Sequence, residues 1–157
     1  MKTDSGRLIY LNGSYVKEKD AKISIFDSAL MFGDMVFEMT RSFNKKQFKL
    51  DEHIERLLYG IKIYEIPLNK TAKELKEICL QTIEVNKPFF NDTDEHRLMI
   101  NVSRGPLGVY APIFDYNLEP TLVVADFPLK WTVSYMGNLY DEGINAVLVN
   151  QKAMPAY

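Results

Sequence analysis

Two consecutive helical patterns, with strand-like runs before and after them, constrain this chain more than any other feature. Asp51 is placed as the N-cap of the first, with Glu52 early in the first turn where negative charge suits the helix dipole. Ile54, Leu57, Leu58 and Ile61 follow the spacing of a single apolar stripe, and Pro67 ends the helix. The second pattern opens at Thr71, where Thr71-Ala72-Lys73-Glu74 has the form of a capping box. Leu75, Ile78, Cys79, Thr82 and Ile83 make its buried face, and Asn86, Lys87 and Pro88 close it.

Ahead of the helices, residues 8–10 and 14–16 flank Asn12-Gly13, a pair that tolerates the positive φ of a type I′ turn, so a hairpin is expected. Residues 21–25 are expected to add an extended piece. The run 35–43, rich in Val, Phe, Met and Thr, reads as a strand, turned by Asn44-Lys45-Lys46 into a short partner over 47–50. Behind the helices come runs at 97–103, 121–125 and 146–150, with a long Gly- and Pro-containing loop over 104–120. Strands, two helices and strands again give an α+β fold: a small N-terminal domain, residues 1–126, with an antiparallel-rich sheet and two helices. Residues 127–137 are expected to be a linker, and 138–157 the incomplete start of a second domain. The run 146–150 would be the first strand of that truncated domain, because a lone strand cannot bury both faces.

Composition excludes several function classes. Nineteen basic residues against 21 acidic ones, for a net charge of −2, leave no cationic excess for nucleic acid or an anionic membrane. Lys45-Lys46 and the lysines from Lys70 to Lys76 read as solvated faces. One cysteine allows neither an intramolecular disulfide nor a multi-cysteine metal site, and Cys79 reads as a small buried hydrophobe. Two distant histidines, His53 and His96, do not suggest zinc. No secretory h-region opens the chain and no apolar run reaches the ~20 residues of a membrane span, so a cytoplasmic protein without membrane partners is expected.

No nucleophile elbow, P-loop, dinucleotide fingerprint or zincin motif is present. Three local patterns remain. Phe32-Gly33-Asp34-Met35-Val36-Phe37-Glu38, followed by Arg41, reads on its residues as a turn into a buried strand. His53 and Arg56, three apart, share a helical face, with Glu52 and Arg56 spaced for a surface ion pair. Arg97 and Arg104 stand at the two ends of a strand, where guanidinium groups could recognise carboxylate or phosphate.

In this order and at these spacings, the patterns together with Asn12-Gly13, Phe48-Lys49-Leu50-Asp51-Glu52-His53-Ile54-Glu55-Arg56-Leu57 and Ser103-Arg104-Gly105 resemble the class IV (fold-type IV) aminotransferases. That family includes branched-chain aminotransferases, D-amino-acid aminotransferases and aminodeoxychorismate lyases. The resemblance runs from the first hairpin to the run before Asn150, and His-x-x-Arg-Leu is its most specific piece. It implies pyridoxal 5'-phosphate as cofactor, with Arg56 on its phosphate. Phe37 would line the substrate side-chain pocket, Phe32 stands where relatives often carry tyrosine, and Arg41 and Arg97 match positions near the substrate. Asp141-Glu142-Gly143-Ile144 resembles the entry into the second domain.

Met39 replaces a glycine common in branched-chain enzymes, and Glu95-His96 replaces a tyrosine-containing segment. The Schiff-base lysine is expected beyond Tyr157, so no catalytic residue is assigned, and Lys152 reads as a strand-end surface residue. The resemblance implies amino transfer between a branched-chain-like amino acid and a 2-oxo acid, by a homodimer. The alternatives are aminodeoxychorismate lyase chemistry and a non-catalytic module for dimerisation or ligand binding.

Overall fold

The computed structural model describes residues 6–115 and 118–150. β1 (Leu8–Leu11) and β2 (Ser14–Lys17) form the expected hairpin, with Asn12 and Gly13 at φ 45° and 93°. Residues 21–24 join no ladder, contrary to the extended piece expected there. The Ser24 hydroxyl and carbonyl accept from Phe26 N and Asp27 N, at 3.1 Å each, and this local turn bonding competes with pairing. Asp27 then caps α1 (Ser28–Phe32) by accepting from Ala29 N at 2.9 Å.

β3 (Met35–Phe43) has the expected bounds, and Asn44 and Lys45, at φ 51° and 63°, turn it into β4 (Lys46–Gln47). The expected strand over 47–50 is cut short. Lys49 takes a left-handed conformation (φ 50°, ψ 40°), and buried Leu50 already begins α2 (Leu50–Ile63). Lys49, not Asp51, is therefore the N-cap residue; turning the chain there lets Leu50 enter the core. Asp51 keeps its charge in the first turn and pairs with Lys76 at 2.7 Å. Glu65, at φ 51°, follows the end of α2, so the helix stops before Pro67.

α3 (Ala72–Asn86) has the expected capping box: Thr71 Oγ1 accepts from Glu74 N at 3.2 Å while Glu74 accepts from Thr71 N at 2.8 Å. β5 (His96–Ser103), β6 (Thr121–Pro128), α4 (Lys130–Met136) and α5 (Asn138–Glu142) complete the order. β6 outruns its expected end because Phe127 and Pro128 still pair with Arg97 and His96. Residues 143–149 form no strand, and Val147 and Leu148 are fully open (84% and 103% exposed), so the strand expected at 146–150 is not formed. A strand exists only with a ladder partner, and none reaches this run among the described residues. Lys152 lies outside the described residues.

The α+β fold is a six-stranded antiparallel sheet in the order β2-β1-β6-β5-β3-β4, with α2 and α3 packed on one face. Alternation along the strands sends Leu98, Ile100, Val102, Leu122 and Val124 toward the helices, where they meet Ile54, Leu57, Leu75 and Cys79. Each fully buried Leu or Ile there is worth roughly 1.5–3 kcal/mol. The opposite face carries Phe37, Met39, Arg41, Arg97, Met99 and Asn101. α4 reaches the end of that face: Trp131 stacks on Phe127 at 6.4 Å, and Arg97 Nη1 donates to Thr132 Oγ1 at 2.7 Å.

Candidate functional site

The period of two in β3 divides its side chains between two environments. Glu38, Thr40 and Ser42 are buried toward the helices, whereas Phe37 is 63% exposed on the far face. On that face the register sets Phe37 opposite Asn101, Met39 opposite Met99, and Arg41 opposite Arg97. Three sequence-predicted residues, Phe37, Arg41 and Arg97, thus share one surface.

Two like charges directly opposed across a ladder repel, and their side chains splay apart. Arg41 lies with its guanidinium carbon 4.0 Å from the Phe43 ring centre and donates from Nε to the Ser42 carbonyl at 3.2 Å. Arg97 leans the other way, with Nε donating to Met39 Sδ at 2.7 Å and Nη1 to Thr132. Met39, standing where glycine is expected, fills the surface between Phe37 and Arg97 and holds the Arg97 guanidinium by its sulfur.

Arg56 projects from α2 toward the other side of β3. Its Nε donates to Glu38 Oε1 and its Nη2 to Glu38 Oε2 at 2.7 Å, while His53 Nδ1 lies 2.7 Å from the same Oε2. The spacing that puts His53 and Arg56 on one helical face serves this shared carboxylate, and the expected Glu52–Arg56 pair is replaced by Glu38–Arg56. Lys49 takes Glu52 instead, at 3.6 Å. Glu38 is 4% exposed and Arg56 is 70% exposed. Burial pushes the Glu38 carboxyl upward, but the hydrogen bonds and charges of Arg56 and His53 outweigh it and hold the group below the ordinary glutamate range.

Between Met35 and Thr40 no strand among the described residues pairs with the outer side of β3, because β4 meets only Ser42 and Phe43. Phe37 and Glu38 are consecutive in β3, so the strand sends one side chain to the open face and the next to Arg56 on the helix side. Phe32 stands apart from that group. It ends α1, is 64% exposed, and is separated from β3 by Gly33 and Asp34.

Arg104 is committed elsewhere. Its Nε donates to Asp34 Oδ2 at 2.7 Å, and its terminal nitrogens donate to the Glu65 and Tyr64 carbonyls at 2.8 and 2.5 Å. It therefore caps the open carbonyl end of α2 and fastens it to the start of β3. Glu95 is likewise structural: it accepts from Asn44 N and Lys45 N at 2.9 and 3.2 Å and supports the β3–β4 turn.

Of the four buried carboxylates among the described residues, Asp27, Glu38, Asp94 and Asp126, none is found by sequence reasoning, and two of them, Glu38 and Asp126, pair with histidine. Glu38 reads there only as part of a strand run; the signal that could have found it is a carboxylate at an inward strand position facing a helix with His and Arg three apart. Asp126 pairs with His96 Nδ1 at 2.8 Å beneath the stacked ring of Phe90, 4.3 Å away, and burial raises its carboxyl above the ordinary range. Among the described residues, no group of His, Cys, Asp and Glu could hold a metal ion.

The profile of the amino-transferase class IV family matches residues 35–157. A putative branched-chain-amino-acid aminotransferase of Methanocaldococcus jannaschii is 34% identical over 148 residues, covering 94% of this chain and 47% of its own length. The chain therefore spans about half the length of the curated relatives it matches. Among solved structures, the branched-chain amino acid aminotransferase from Escherichia coli superposes with a TM-score of 0.64 at 28% identity, covering 78% of this chain and 41% of that one. Another branched-chain amino acid aminotransferase, solved in complex with N-(5'-phosphopyridoxyl)-L-glutamate, gives 0.62 at 26%, with 78% and 40% covered. The sheet with two helices on one face has its counterpart in these enzymes, and the chain belongs to the class IV amino-transferase family.

Proposed function

We propose that this chain provides the phosphate clamp and one wall of the substrate pocket of a pyridoxal 5'-phosphate-dependent aminotransferase. That enzyme would exchange the amino group of a branched-chain-like amino acid with a 2-oxo acid. Residues 1–126 would be its N-terminal domain and 138–157 the entry to a cofactor domain, with 127–137, whose first two residues still complete β6, as the connection between them. The Schiff-base lysine is assigned to the part of the relatives that this chain does not span. The observation that carries the reading is the convergence of Phe37, Arg41 and Arg97 on one face of the sheet, with Arg56 exposed on α2 and paired to Glu38 of the same strand β3.

The donor set suits the cofactor. A guanidinium has five N–H donors. Glu38 takes one on Nε and one on Nη2, so the end edge formed by Nη1 and the second Nη2 hydrogen stays open on a 70% exposed side chain. That edge can clamp a phosphate dianion by charge-assisted hydrogen bonds. When bound, pyridoxal phosphate would supply the electron sink at the substrate α-carbon and carry the amino group. The chain's own residues bind and orient: Arg41 and Arg97 offer bidentate donors to substrate carboxylate, while Phe37 and Met39 shape an apolar wall. Phe32 offers a ring without the hydroxyl of a tyrosine, so it can pack but cannot donate.

The test is amino transfer by the full-length protein from leucine, isoleucine or valine to 2-oxoglutarate, followed as glutamate formed. Arg97→Ala should raise KM for the carboxylate substrates about tenfold or more, the loss of one charge-assisted contact. Pyruvate release from aminodeoxychorismate without amino transfer would replace this reading with the lyase. Unchanged KM in Arg41→Ala and Arg97→Ala would remove the carboxylate role.

A further inference from the structure

Arg56 is a long, largely exposed side chain, and such groups sample many rotamers unless something holds them. Glu38 is what holds it. The carboxylate is 4% exposed, sits on a central segment of a nine-residue strand, and takes the Nε and Nη2 side of the guanidinium in a two-point contact. A two-point contact fixes the plane of the guanidinium as well as its position. His53 Nδ1, 2.7 Å from Oε2 and on the same helical face as Arg56, fixes the carboxylate in turn. Glu38 therefore spans the strand and the helix: one backbone is the sheet, and the other carries the arginine.

We propose that Glu38 is a positioning residue for anion capture. It would lock Arg56 by its Nε–Nη2 edge so that the adjacent end edge, Nη1–Nη2, stands ready for the phosphate of the cofactor. This rests on the reading of Arg56 as the phosphate ligand. The buried carboxylate also lowers the net charge of the site, which by itself would weaken attraction for a dianion. The geometry favours positioning over neutralisation, because a guanidinium held flat by two hydrogen bonds loses no further rotamer freedom when the ligand arrives.

The experiment compares binding of pyridoxal 5'-phosphate and of pyridoxal, which lacks the phosphate, to the full-length apoprotein by absorbance titration. The quantity read is the ratio of the two dissociation constants, which isolates the phosphate contribution and needs no turnover. Arg56→Ala sets the scale. Glu38→Gln keeps the volume but turns an amide N–H₂ toward the arginine, donor against donor, and should reduce the phosphate preference about tenfold or more while leaving pyridoxal binding unchanged. In the Arg56→Ala background the same change should have no further effect on the ratio.

If Glu38→Gln is poorly folded by thermal unfolding, Glu38→Asp takes its place. It keeps the charge but withdraws it by one methylene, and it should lower the ratio to an intermediate value. Equal weakening of both ligands would overturn the proposal and leave Glu38 as a fold residue. Tighter pyridoxal phosphate binding in Glu38→Gln would also overturn it, in favour of simple neutralisation. An unchanged ratio in Arg56→Ala would instead remove the phosphate reading of Arg56 itself, and the positioning role with it.

Discussion

Gly105 approaches Glu119 so closely that a Cβ on the glycine would lie 2.0 Å from the Glu119 carbonyl oxygen. Its φ of +76° adds a conformation that L side chains rarely adopt. Gly13, at φ +93° with nothing near its absent Cβ, has only the conformational part of that constraint. Gly105→Ala should therefore cost at least about 2 kcal/mol more than Gly13→Ala in urea unfolding, since the collision is with backbone that cannot move aside cheaply. Equal costs would mean that the segment at Glu119 yields.

Cys79 should be silent to thiol reagents in the native protein. It is fully buried among the apolar residues of α3 and the sheet, and burial pushes its thiol up to about 12. At pH 8 roughly one molecule in ten thousand would then carry a thiolate, before access is considered. Labelling followed through a urea titration should track global unfolding. Rapid modification in native buffer would contradict this burial.

The Glu38 cluster gives the acid limb of stability a defined sign. Its carboxyl titrates below the ordinary range in the folded state, so the stabilisation is complete above the unfolded value and is lost as pH falls through the folded one. Glu38→Gln should differ most from the native protein near neutral pH and converge with it on acidification below the ordinary glutamate range. A gap that is constant with pH would show that the cost of the substitution is packing alone.

Asp126 carries the opposite sign. Burial raises its carboxyl, partly offset by His96 and Arg7, so its contribution is best at low pH and declines as pH rises through the folded value. Asp126→Asn can still accept from His96 and removes the buried charge. Its stability relative to the native protein should rise with pH across that titration, as read from denaturant midpoints at acid and neutral pH.

Thr71 anchors the reciprocal cap of α3. Thr71→Ala should cost about 1 kcal/mol, and Glu74→Ala less, measured as shifts of the thermal midpoint.

Much of this architecture could be read from local rules, and the exceptions have a common cause. The limits of β3, the Asn12-Gly13 turn and the Thr71–Glu74 box depend on residues a few positions apart, and all three are found as expected. Lys49 departs from the pattern because no local signal asks a lysine to adopt positive φ; the burial of Leu50 does. β6 continues past 125 because Arg97 and His96, from another strand, offer it a ladder. In the candidate site, Phe37, Arg41 and Arg97 are identifiable as separate residues, but their common face follows from the β3–β5 register. Glu38 stays hidden because its partners lie 15 and 18 residues away on a helix.

The fastening of the first hairpin has a consequence for synthesis. Asn86 bonds both backbone groups of Leu8 across 78 residues, and Asn12 accepts from Leu122 N across 110. Of the six strands of this sheet, the one made first is therefore among the last secured, since the ends of so large a loop must meet before either contact forms. At the roughly 5–20 residues per second of translation, β1 and β2 wait several seconds or more outside the ribosome for their neighbours. Through that interval the exposed hairpin edge is open to chaperones or to pairing with another nascent chain.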